Sequence, residues 1–115
     1  MLAVFESRPQ IFLAWRVLRY VQEDNHHYLI VSAALRDGSR LEIRDHSFSD
    51  GTRKYAYQWM ESDGRLRRRW DQTNHWPDVA TFPHHVHVPD QPTPLPSTVT
   101  NLEDLMLFLE DWFAE

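Results

Sequence analysis

Residues 35–70 read LRDGSRLEIRDHSFSDGTRKYAYQWMESDGRLRRRW and hold all three glycines of the chain, Gly38, Gly51 and Gly64. Each follows an aspartate, and each lies thirteen residues from the next. Asp-Gly supplies the positive φ that tight hairpin turns require. The segments between and around these turns, Tyr28–Leu35, Arg40–Phe48, Thr52–Met60 and Arg65–Trp70, are rich in β-branched and aromatic residues, as strands are. Strands joined by short turns pair with their sequence neighbours. The spacing therefore predicts an antiparallel meander.

Working outward, Ala14–Glu23 adds a strand through a turn at Asp24–His27, although Ile11–Val21 also fits helical spacing. Downstream, Thr100 and Glu103 have the pattern of a capping box. Leu102, Leu105, Met106, Leu109, Trp112 and Phe113 then recur at helical spacing as a wide apolar stripe. The expected fold is α+β: a curved antiparallel meander of about five strands with the C-terminal helix packed on one face. Twist accumulated over so long a meander could curl it partly into a barrel. At 115 residues the chain is the size of one domain, 1–115.

Alternation sorts the side chains. Arg53, Tyr55, Tyr57 and Trp59 share one face, opposite Lys54, Ala56, Gln58 and Met60. Leu66, Arg68 and Trp70 oppose Arg65, Arg67 and Arg69.

Composition excludes several classes. There is no cysteine, hence no disulfide and no thiolate metal site. No apolar run is long enough for a membrane span, and Glu6 interrupts the place of a signal-peptide core, so the expected location is cytoplasmic. The net charge of −5 is unevenly spread: Arg36–Trp70 carries nine Lys/Arg against six Asp/Glu, whereas residues 71–115 carry eight Asp/Glu and no Lys or Arg. The basic part could meet phosphates; equally, the two charge types could simply solvate different faces.

Residues 71–97 contain six of the seven prolines and four of the seven histidines. Trp76, Phe82, Val86 and Val88 need burial, so this is an ordered loop, and loops of such length are usually functional. Its densest part is Thr81-Phe82-Pro83-His84-His85-Val86-His87-Val88. In an extended chain His85 and His87 point one way and His84 the other. One reading is a cupin-like metal site with His75 or Asp71 as third ligand, but the later Glu and flanking glycines of that pattern are missing, and no bound metal or cofactor is expected. The other reading is acid–base chemistry by histidines that titrate near neutrality. With arginine to stabilise a phosphorane-like transition state, that is the equipment of a metal-independent ribonuclease. The candidates are His84, His85, His87 and His75, supported by Arg53, Arg68 and Tyr57, with Tyr55 near enough in the expected sheet to contribute. A third reading has the histidines only stacking on Trp76 and Phe82 and bonding the loop backbone.

The succession Lys54-Tyr55-Ala56-Tyr57-Gln58-Trp59, Asp63-Gly64-Arg65-Leu66, Arg69-Trp70-Asp71, His75-Trp76-Pro77 and Thr81–Val88 resembles the TumE family of toxins from bacterial toxin–antitoxin pairs. The resemblance runs from about Tyr28 to the C-terminus. It departs from the family at Gln72, where Asn is usual, and at His75-Trp76, where a His-His pair is usual. The resemblance implies a cognate antitoxin, usually of the helix-turn-helix type, and growth inhibition, with RNA as a target and a homodimer left open. The competing expectation is a non-enzymatic binding module for a metal, a metabolite or a protein.

Overall fold

The structure, a computed structural model, describes residues 3–114. Seven strands form one open antiparallel sheet in strictly sequential order. They are β1 (Phe12–Glu23), β2 (His26–Leu35), β3 (Arg40–Ser47), β4 (Arg53–Met60), β5 (Leu66–Asp71), β6 (His85–His87) and β7 (Leu95–Pro96). A short helix α1 (Ala3–Glu6) precedes them, and α2 (Leu102–Trp112) follows. Among the described residues the sheet does not close, so β1 and β7 are its edges and no barrel forms. Residues 71–97, expected as a loop, instead contribute β6 and β7 to the sheet.

The three Asp-Gly hairpins form as the sequence dictates. Gly38, Gly51 and Gly64 have φ of 86°, 90° and 90°. Asp37, Asp50 and Asp63 each accept the amide proton of the residue two further on, at 2.9–3.0 Å. In each hairpin the amide of the first loop-flanking residue also bonds a carbonyl across the turn, as in Leu35 N–H to Ser39 O at 2.9 Å. This is a three-residue loop with glycine in the left-handed position. β1 is a strand and not a helix, but register shifts at Phe12/Ala14 and Val17/Arg19 break its alternation.

α2 lies on the inner face of the sheet. Leu102, Leu105, Met106 and Leu109 are buried there with Leu29, Val31, Leu41, Ile43, Tyr57, Trp59 and Trp70 in one core. The helix cap falls one residue later than Thr100/Glu103. Asn101 accepts the Asp104 amide at 2.8 Å, and Asp104 reaches back to the Thr100 amide and hydroxyl at 3.1 Å. Asn is as good an N-cap as Thr, and Asp104 serves as the reciprocal acid. At the other end the Arg36 guanidinium donates to the Phe113 carbonyl, a cation at the negative end of the helix dipole. No helix among the described residues is long and apolar enough to cross a membrane.

Candidate functional site

The register of the last strands decides which side chains meet. Asp71 pairs with His85, Trp70 with Val86, and Arg69 with His87. Trp70 and Val86 are buried on the helix side, so Asp71, His85, Arg69 and His87 project from the outer face. Inside this corner the His85 side chain is 1% exposed and that of Asp71 is 5% exposed. His85 Nδ1 lies 3.0 Å from the Pro83 carbonyl. A carbonyl only accepts, so Nδ1 carries the proton and Nε2 is turned toward Asp71. Asp71 Oδ1 is 2.6 Å from that Nε2. The two atoms are within ion-pair distance but lack hydrogen-bond geometry, and Nε2 is left buried with no hydrogen-bond partner. His87 Nε2 stands 3.8 Å from the other Asp71 oxygen, with its side chain 32% exposed. The ligand atoms of Asp71, His85 and His87 all lie within 4.8 Å of one another.

The carboxylate is held from behind. Arg69 Nε donates to Asp71 Oδ2 at 3.0 Å, and the Thr73 amide donates to Oδ1 at 3.2 Å. Burial pushes the Asp71 carboxyl up, but these hydrogen bonds and the charges of His85 and Arg69 together hold it below its ordinary value. His87 is pushed down by burial and by the His85 and Arg69 charges, against the pull of Asp71.

His84 projects from the opposite face, as strand alternation requires. Its Nδ1 is 2.8 Å from the Tyr55 hydroxyl, and the two rings stack. Burial, then the charges of Arg53 and His85, push its pKa down. Beside it Arg53 donates to both oxygens of Asp45 at 3.2 Å and to the Thr100 carbonyl at 2.8 Å. The Tyr57 hydroxyl donates to Asp45 Oδ2. Asp45 is 6% exposed and Tyr57 fully buried. Burial, then the Asp45 charge, raises the Tyr57 phenol, so it remains a donor. This array ties β3 and β4 to the start of α2.

The other predicted residues sit elsewhere. Arg68 lies over the rings of Phe108 and Trp112, at 5.0 and 5.7 Å, on the helix side. A bulge between Trp59 and Met60 leaves Arg67 unmatched, so the expected alternation of Leu66, Arg68 and Trp70 breaks there. His75 is exposed and lines a separate cleft of about 660 Å³ with Trp76, Pro77 and Pro96. Phe82, expected to be buried, is 45% exposed. Asp71 was expected only as a third metal ligand, and Arg69 and Asp45 had no expected site role, whereas Tyr55, expected beside Arg53 and Arg68 on the phosphate side, instead meets His84. The signal for Asp71 was its place at the end of an Arg-rich strand; for Asp45 it was an acid on the inward period of Leu41 and Ile43.

Among the described residues, no helix covers the outer face beyond this corner. One cross-strand row runs Ile30, Arg44, Ala56, Asp71, His85, and its neighbour runs Tyr28, His46, Lys54. Arg44 and Lys54 are exposed. Tyr28 stacks on His46 at 4.6 Å and His46 on Phe48 at 3.9 Å, while the Arg19 guanidinium lies 5.4 Å from the Tyr28 ring centre. Cations interleaved with stacked rings suit the backbone and bases of a single strand.

An open meander with a helix on one face and a charged, ring-bearing other face defines a small α+β protein built to present a sheet surface. The chain belongs to the toxin TumE family, whose family model matches residues 1–114. The match includes the N-terminal segment, which the sequence resemblance left out. The chain is therefore a toxin of a toxin–antitoxin system, and a cognate antitoxin is its partner. No curated protein and no solved structure matches it.

Proposed function

We propose that this toxin acts in the cytoplasm on RNA, breaking the phosphodiester backbone at the corner formed by Asp71, His85 and His87. The observation that supports this is the continuity of the outer face. The exposed cations Arg44 and Lys54 and the Tyr28–His46–Phe48 stack lead across Ala56 into that corner. In the reaction the 2′-oxygen attacks phosphorus and the P–O5′ bond breaks. The 2′ proton leaves to a base at the corner, and the same group, now protonated, returns a proton to the departing 5′-oxygen. Arg69 opposes the charge that builds on the phosphate. His84, Arg53 and Tyr57 act as positioning residues, fixing β4 and the histidine segment from the opposite face. Arg68 and His75 have no part in this centre. A cognate antitoxin of the helix-turn-helix type would neutralise the toxin by covering the outer face.

The test is induction of the protein without its antitoxin. Growth should slow with the native chain and recover with His87→Ala, which changes a partly exposed side chain. Purified Arg44→Glu/Lys54→Glu protein should bind single-stranded RNA more weakly. Its slope of log affinity against log salt should be shallower by about 1.4, about 0.7 for each lost phosphate contact. Native chain that leaves growth unchanged, or an unaltered salt slope, would count against the reading.

A further inference from the structure

We propose that Asp71, His85 and His87 bind one first-row divalent transition-metal ion. Three observations carry this. First, His85 Nδ1 is committed to the Pro83 carbonyl at 3.0 Å, the arrangement by which metal-ligating histidines fix their tautomer and aim the other nitrogen at the ion. Second, that other nitrogen is buried and has no hydrogen-bond partner, although it faces the Asp71 carboxylate at 2.6 Å. A lone pair aimed at an anion is unfavourable unless a cation, a proton or a metal, stands between them. Third, His87 Nε2 converges on the same carboxylate from the solvent side, 3.8 Å away.

The spacing fits the task. Ligand atoms about 2.0–2.1 Å from a tetrahedral ion lie roughly 3.3 Å apart; the two carboxylate–imidazole separations here are 2.6 and 3.8 Å, and all three ligand atoms lie within 4.8 Å, so small side-chain rotations would bring them onto one ion. Arg69 and the Thr73 amide already orient the carboxylate, as outer-shell partners of a metal site do. Two imidazoles and one carboxylate select zinc, nickel, cobalt or iron(II) over magnesium or calcium, which take oxygen ligands. Because His87 lies at the surface, the ion would keep at least one position open on the outer face. The site departs from the metal-free expectation drawn from the sequence. There the missing Glu and glycines of one known pattern weighed against a metal, while the Asp71–His85 pairing was not visible.

With an ion bound these side chains would serve as ligands and not as the base of the RNA reaction, and the inference does not rest on that reading, because it is measured without RNA. Tag-free protein is dialysed against a strong chelator and titrated calorimetrically with Zn²⁺, and separately with Mg²⁺. The expected result is about one equivalent of Zn²⁺ bound at micromolar or lower concentration, a rise in melting temperature with Zn²⁺, and no response to Mg²⁺. Affinity should fall at least ~100-fold in both His87→Ala and the near-isosteric Asp71→Asn. His46→Ala serves as the control, since His26 and His46 bring their Nε2 atoms within 2.8 Å elsewhere on the sheet. Absence of Zn²⁺ binding would overturn the proposal. So would an equivalent that persists in His87→Ala and vanishes in His46→Ala, or equal competition by Mg²⁺.

Discussion

Replacing Tyr57 with Phe separates a positioning role from direct contact with a phosphate. The Tyr57 hydroxyl is fully buried and donates to the Asp45 carboxylate. Its removal deletes one hydrogen bond to a charged acceptor, worth about 1.5–3 kcal/mol net. Arg53 keeps both of its 3.2 Å bonds to Asp45, so the carboxylate is not left bare and the low end applies, about 1.5 kcal/mol. For a chain of this size that is a fall of roughly 6 °C in melting temperature. Thermal unfolding followed by circular dichroism reads the shift, and growth arrest is scored well below the transition. Arrest should persist in Tyr57→Phe. A melting temperature equal to that of the native chain, together with lost arrest, would overturn the positioning role and return Tyr57 to the substrate.

Gly64→Val should destabilise the fold by roughly 1–3 kcal/mol through forced positive φ alone, because nothing lies within 4 Å of where its Cβ would stand; an unchanged denaturant midpoint would contradict the hairpin account. In chelator-treated protein, stability should fall as pH drops from about 7 to 5. His84 has a folded pKa below the ordinary value of about 6.5, so protons bind the unfolded chain more readily and stability is lost through that window. His84→Gln should flatten this slope in pH-dependent urea melts, and an unflattened slope would argue against the assignment. The lowered Asp71 carboxyl acts at the other end. Its contribution is present above the unfolded value near 3.9 and disappears as pH falls through the lower folded value, so Asp71→Asn and native protein should converge in stability in strong acid.

What the sequence made legible follows from how local each signal is. The Asp-Gly turns are complete within three residues, so the central hairpins could be read without tertiary knowledge. The face shared by Tyr55, Tyr57 and Trp59 followed from the period of two, as did the opposite orientation of His84 and His85. β1 was ambiguous because its bulges expose Leu13 and Leu18 and give apolar residues a spacing close to helical. β6 and β7 are three and two residues long, too short for any periodicity. They form only because β5 offers a free edge, and Pro96 is tolerated because β7 is itself an edge. The corner was legible only in part. Histidines two apart announce a shared direction, but their pairing with Asp71 depends on the register of β6 on β5, which no local pattern encodes. For the same reason Arg53 and Tyr57 looked available for phosphate, although Asp45, eight and twelve residues away, engages both.

Chemistry on RNA at the outer-face corner is what we propose for this toxin. Its most direct test is incubation of the purified protein with an end-labelled single-stranded RNA and with DNA of the same sequence. The RNA should be cut, and the DNA, lacking the 2′-hydroxyl, should not. His87→Ala should cut about 10²–10⁴-fold more slowly, with the melting temperature of chelator-treated protein unchanged. Intact RNA after incubation with protein that arrests growth, or equal cutting by His87→Ala, would contradict it.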